Sequence, residues 1–219
     1  MAGMLTVVRK ELKCFGGDKG QFIIYALMSA LWSLALFSGG FNGDAAGGRF
    51  WCVFFAVIVA SGFSGTVFIS ERVTGTLEIL ITSGISRDAV LFGKMVFAVG
   101  MSMAVGLLCA VFALIWGFAL GAGASVRLGI NDAALYASTV FLNAAVSACL
   151  SVRMGNPRFL HFINLFMTAA LLAAYIAVSF LFAASWPFLA AGFLLLGTLF
   201  TFLARREFAG ERITRPVIF

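Results

Sequence analysis

ERVTGTLEILITSGISRDAVLFGK, residues 71–94, is a charged connector studded with Gly and Thr, set between two long apolar segments. Its neighbours decide the fold. Phe50–Ser70 before it and Met95–Leu120 after it are each long enough to cross a hydrocarbon core of about 30 Å, which takes roughly 20 helical residues. Similar runs recur along the chain, giving spans at about 21–38, 50–70, 95–120, 133–152, 159–184 and 187–203. The chain of 219 residues is 62% hydrophobic and 11% charged, with 25 Phe. A soluble surface needs about a quarter charged residues, so a water-soluble domain is excluded. The expected fold is one all-α integral membrane domain over residues 1–219, with six transmembrane helices and no segment left for a separate globular unit.

The formal net charge of +6 reports orientation rather than nucleic-acid binding. Thirteen of the 15 Lys and Arg fall on one side of the six-span threading: four before the first span (Arg9, Lys10, Lys13, Lys19), three in the connector (Arg72, Arg87, Lys94), Arg153 and Arg158 in the turn RMGNPR, and four in the C-terminal tail. Arg49 and Arg127 alone lie opposite. Excess positive charge marks the cytoplasmic side, so both termini and the connector are expected there. Trp51, Trp116 and Trp186 then fall near the opposite interface, as an aromatic belt does.

Residues 4–15, MLTVVRKELKCF, place Leu5, Val8, Leu12 and Phe15 on one side of a helix and Arg9, Lys10 and Lys13 on the other, the pattern of a helix lying in the interface plane. Glu11 interrupts the apolar flank. GGDKG, residues 16–20, is expected to break this helix before the first span. An amphipathic stretch ahead of the apolar run, without a clear A-x-A site, is unlike a cleaved signal peptide. In the second span Ala56, Ala60 and Ser64 recur every four residues, and Gly100, Ala104, Gly106 and Ala110 repeat small residues in the third, the spacing that lets helix backbones approach closely in lipid.

Between the proposed span ends there is no Asp, Glu, Lys or Arg. Ion-coupled transporters, pumps and voltage sensors carry such groups at depth, so those classes are disfavoured. Asn143 and Asn164 are the main polar residues that could face a pore, with an interhelical hydrogen bond as the simpler role. Gly93-Lys94 resembles the end of a phosphate-binding loop, but Asp88 stands where G-x-x-x-x-G-K-[ST] needs Gly and Met95 where it needs Ser or Thr. Cys14, Cys52, Cys109 and Cys149 have no C-x-x-C spacing, and His161 is the sole histidine, so neither metal nor catalytic site is indicated. Uphill transport would draw its energy from another polypeptide.

The connector itself has two parts. On a helical wheel over Glu71–Ser83, Val73, Leu77, Leu80 and Ile81 share one side and Glu71, Glu78 and Thr82 another, so a short helix could seat one face on its own bundle and offer the rest to a partner. Ser83-Gly84 ends it. Ser86 is placed to cap a new helix with Asp88 in its first turn, running on through Gly93 and Lys94 into the third span.

Glu71-Arg72, Gly75-Thr76-Leu77-Glu78 with Leu80, Arg87 and Gly93-Lys94 closely resemble the E-R-x-x-G-T-L-E-x-L…R…G-K signature of ABC-2 type transporter permeases. Arg9-Lys10-Glu11-Leu12 is similar to that family's N-terminal interfacial helix. The resemblance covers about residues 5–95 and implies the transmembrane permease subunit of an ABC exporter in a prokaryotic cytoplasmic membrane. Such a subunit pairs with a second permease copy and two cytoplasmic ATPase subunits, which hold the ATP and Mg; it has no cofactor and no catalytic residue of its own. The resemblance assigns Glu71, Arg72, Gly75, Thr76, Leu77, Glu78 and Arg87 to a coupling helix seated in the ATPase, with Lys94 at its far edge. Arg153, Asn156 and Arg158 form a second cytoplasmic contact. Phe159–Leu203 holds only two spans and a tight loop, so the outer re-entrant hairpin of many such exporters is absent or much reduced, which argues against polysaccharide export. Spans of Phe, Leu, Ala and Gly without fixed charge suit an amphipathic or lipid-like substrate. Two other readings stay open: a membrane scaffold or assembly factor without transport, and a subunit of a haem-export or cytochrome-maturation complex.

Overall fold

A computed structural model describes residues 2–41, 45–74, 84–119, 129–153 and 186–208, together with isolated positions between 162 and 178. The described chain is helical: α1 (Ala2–Gly17), α2 (Lys19–Phe41), α3 (Ala45–Thr74), α4 (Arg87–Ala119), α5 (Ile130–Arg153) and α6 (Trp186–Phe208). Four of these, α3 to α6, contain stretches long and apolar enough to cross a membrane. They define a multi-pass membrane protein with α3 and α5 at its centre. The first and fifth expected spans fall wholly or partly among residues whose side chains or backbone lie outside the description.

The distribution of side chains is that of a protein dissolved in lipid. Serine, threonine and asparagine are buried inside, at Ser29, Ser64, Ser102, Ser138, Thr139, Asn143 and Ser147, whereas Phe22, Leu31, Leu107, Phe118, Leu195 and Phe202 project outward from α2, α4 and α6. Hydroxyls inside such helices need acceptors, and most take a carbonyl of their own helix: Ser29 Oγ donates to Tyr25 O at 2.8 Å, Ser102 Oγ to Ala98 O at 2.8 Å and Thr139 Oγ1 to Leu135 O at 2.7 Å.

The small-residue stripe of α3 does what its spacing implies. Ala56 and Ala60 are fully buried against Val140 of α5, with Val99 of α4 alongside. Glycines serve as notches for rings from neighbouring helices: a Cβ on Gly62 would lie 2.6 Å from Tyr25 Oη, one on Gly106 2.6 Å from the Tyr136 ring, and one on Gly197 2.6 Å from Phe141. The expected stripe on α4 divides. Gly106 packs, but a Cβ on Gly100 would meet nothing within 4 Å, so the two positions lie on different faces of the helix.

Helix boundaries follow caps more closely than composition. The expected break over residues 16–20 contracts to Asp18, because its carboxylate accepts from Gln21 N at 3.2 Å and caps α2, drawing Lys19 and Gly20 into the helix. At the far end of the bundle Asp132 reaches back to Gly129 N at 3.0 Å and starts α5. The same end holds a tryptophan cluster. Trp32 stacks on Phe54 and Phe55 and meets Trp51 edge-on, and Trp116 Nε1 donates to Ser33 Oγ at 3.0 Å. Trp186 is the first residue of α6 at that end.

Candidate functional site

The candidate site is the opposite end, where α3 enters the connector and α4 leaves it. The apolar stretch of α3 ends at Phe68 and the helix continues to Thr74, which carries it roughly 9 Å further at 1.5 Å per residue. Glu71 and Arg72 are therefore part of α3's last turns rather than the start of a separate helix. Gly75, Thr76, Leu77 and Glu78 lie outside the described residues, as do Asn156, Arg158 and Asn164. Arg153 is the last residue of α5.

The exit from the connector forms as its sequence implies. Gly84 adopts φ +79°, the left-handed conformation open to glycine, and turns the chain. Ser86 then caps α4: Ala89 N donates to Ser86 Oγ at 3.3 Å and Val90 N to Ser86 O at 3.1 Å. Arg87 and Asp88 follow in the first turn. The Asp88 carboxylate accepts from Arg205 Nη2 at 2.9 Å and Arg205 Nε at 3.1 Å, a two-pronged surface pair between the start of α4 and the end of α6.

Beneath this surface one apolar cluster gathers five helices. Val7 of α1, Phe68 of α3, Val90, Leu91 and Met95 of α4, Ala145, Ala148 and Cys149 of α5, and Ala204 of α6 are all buried together. Any displacement of the helix ends flanking the connector is felt by all of them, since packed interiors transmit strain.

Two charges sit inside this assembly. Lys94 is 1% exposed and Glu11 8% exposed, with Lys94 Nζ 3.7 Å from Glu11 Oε1. Lys94 Nζ also donates to the carbonyl of Val67 on α3 and stands 5.8 Å from the centre of the Phe68 ring. Lys94, expected among the connector's charges, is buried. On α1 Val7 and Glu11, one turn apart, face α4, whereas Leu5 and Leu12 of the expected apolar stripe are 53% and 46% exposed. The cause is local. Val7 fits where Gly93 has no side chain, a Cβ there coming within 2.8 Å of Val7 Cβ and 3.1 Å of Met4 O, and the same orientation of α1 brings Glu11 to Lys94. The sequence signals were Glu11 on an otherwise apolar flank and a lysine directly after a glycine.

Asn143 is buried in α5, and its Oδ1, like Ser64 Oγ on α3, has no hydrogen-bond partner among the described residues. Tyr136 on the same helix donates to Ser102 O at 2.8 Å and ties α5 to α4. Cys52, Cys109 and Cys149 are buried, Cys14 is exposed, and none is in a disulfide. Among the described residues no three His, Cys, Asp or Glu side chains gather closely enough to hold a metal ion. No family model, no curated protein and no solved structure matches the chain.

Proposed function

We propose that the chain is the permease subunit of an ATP-driven transporter of the ABC-2 type, gripped through its 71–94 connector by a separate cytoplasmic ATPase. The observation that carries this reading is the position of the E-R-x-x-G-T-L-E motif. It begins on a helix end that overshoots the apolar stretch of α3, and the chain re-enters at a capped α4 whose first turns are buried against four other helices. A push on a segment so placed is delivered to the whole bundle end at once.

In this proposal the chain has six spans, with both termini and the connector in the cytoplasm of a prokaryotic cell. α1 lies at the cytoplasmic interface, the 71–83 segment, which begins in the last turns of α3, makes the coupling contact, and Arg153, Asn156 and Arg158 make the second contact with the ATPase. Two permease copies and two ATPase subunits form the working unit. ATP-driven closure of the ATPase pair switches the permeases between two packings, so coupling is reciprocal: the permease alters ATP turnover as ATP alters the permease. The substrate proposed is amphipathic or lipid-like, in keeping with the aliphatic and aromatic side chains exposed along α2, α4 and α6.

The test is co-purification of the ATPase with the tagged chain and measurement of ATP hydrolysis by the complex against the ATPase alone. Glu71→Ala with Glu78→Ala is expected to weaken association or remove the permease-dependent change in turnover. Retention of both would remove the coupling assignment.

A further inference from the structure

We propose that α1 and the foot of α4 move as one rigid body, clamped by the buried Glu11–Lys94 pair, with Lys94 the positioning residue that joins the connector's exit to both α1 and α3. The clamp stands on the geometry alone; its role in coupling rests on the permease reading.

Three independent observations carry it. The first is electrostatic. Lys94 is 1% exposed with Glu11 3.7 Å away, so withdrawing α1 would take a carboxylate from beside a buried ammonium group. Separating a buried pair is destabilising, and the best-attested use of such pairs is to fix register. The second is steric. Gly93 brings the α1 backbone so near that a Cβ there would stand 3.1 Å from Met4 O, and one turn earlier a Cβ on Gly3 would stand 3.5 Å from Ala89 Cβ. α1 and α4 thus pack closely at two points one turn apart, Gly93 against Val7 and the Met4 carbonyl and Gly3 against the Ile85 and Ala89 side chains. The third is connectivity. The Lys94 ammonium also donates to Val67 O, seven residues before the end of α3, so one group joins the helix entering the connector, the helix leaving it and α1. At 16 residues α1 is close to the length at which an isolated helix is marginal, and these contacts fix where it sits.

A redox-reversible lock tests the clamp. The 3.5 Å between the Cβ positions at residues 3 and 89 falls within the 3.5–4.5 Å span of a disulfide. Gly3→Cys with Ala89→Cys, in a Cys14→Ser background, is oxidised in native membranes and scored by a cross-link-dependent gel shift. The disulfide is expected to form in most chains, and the locked complex should keep its permease-dependent ATP turnover within about twofold. Lys94→Met should lower both cross-link yield and turnover response severalfold in complexes that still assemble. Forcing the disulfide in that variant should restore the response, and reduction should abolish it again. Glu11→Gln serves the same comparison if Lys94→Met does not accumulate. Failure of the cross-link in the otherwise native chain, loss of turnover on locking, or absence of covalent rescue would each overturn the proposal. If no ATPase co-purifies, the permease reading fails, while the cross-link yields of the native chain and of Lys94→Met still decide the clamp.

Discussion

Two glycines on α4, six residues apart, are expected to respond to alanine with opposite signs. At Gly106 an added Cβ would lie 2.6 Å from Tyr136 Cε1 and Cζ and 2.8 Å from its Oη, against an optimal carbon contact of about 3.5–4.0 Å, so the ring must retreat by roughly 1 Å. That retreat stretches the Tyr136 Oη to Ser102 O bond from 2.8 Å beyond hydrogen-bonding range. Overpacking costs about 1–3 kcal/mol and an interhelical hydrogen bond in a membrane protein about 0.6–1.7 kcal/mol. The better helix propensity of alanine returns about 1 kcal/mol. The balance is a loss of about 2 kcal/mol, or roughly 4–8 °C in Tm for a protein of this size.

Gly100 has nothing within 4 Å of its Cβ position, so there only the propensity gain of up to about 1 kcal/mol applies and Tm should rise by roughly 2–4 °C. Thermal unfolding at one fixed scan rate in nanodiscs measures both. Tyr136→Phe, which loses the hydrogen bond without the clash, should fall between them, at about 1 kcal/mol below the native chain. In a Tyr136→Ala background Gly106→Ala should change sign and stabilise, because the obstructing ring is gone. If Gly106→Ala raises Tm as Gly100→Ala does, or if its penalty persists without the ring, the glycine-notch account of α4–α5 packing is wrong.

Three further outcomes follow from the described contacts. Ser86→Ala removes the cap of α4 and should lower stability by about 1 kcal/mol, whereas Ser86→Asp should retain it, as measured by the same unfolding assay. Asn143→Leu exchanges a buried carbonyl that has no partner among the described residues for an apolar group of similar size and should leave stability unchanged or raised by up to about 2 kcal/mol; a clear loss would reveal a partner for Asn143. Labelling intact cells with a membrane-impermeant maleimide should spare native Cys14 and modify a cysteine placed at Asn131, both positions being exposed and lying toward opposite ends of the bundle. Modification of both from outside would refute the proposed threading.

What was legible in the sequence is what local chemistry determines. Ser86 and Asp88 announce the start of α4, Gly84 supplies the turn before it, and Ala56, Ala60 and Ser64 mark the face of α3 that packs. These signals depend on neighbours within one or two turns. Asp18 shows the limit of composition, because a run of glycines and charges reads as a break until one carboxylate is seen to cap the following helix.

The charge pair was hidden for a different reason. Glu11 and Lys94 are 83 positions apart, and each has a local excuse, one as a flaw in an amphipathic stripe and the other as a foot of positive charge outside a span. Only tertiary contact makes them partners, and that contact accompanies the orientation of α1 that turns Val7 and Glu11 toward α4. An apolar stripe is a weak determinant at an interface where both lipid and protein accept leucine. A buried ion pair and a glycine notch are strong ones.

The central claim is that this chain is driven by a separate ATPase held at the 71–94 connector. Affinity purification of the tagged chain from its native membrane, with mass spectrometric identification of what accompanies it, tests that claim most directly. The account predicts an ATP-binding-cassette protein at about one copy per chain, lost when Glu71 and Glu78 are both replaced by alanine. Recovery of the chain intact in its membrane complex with no such ATPase, or with one whose association is indifferent to those substitutions, would contradict it.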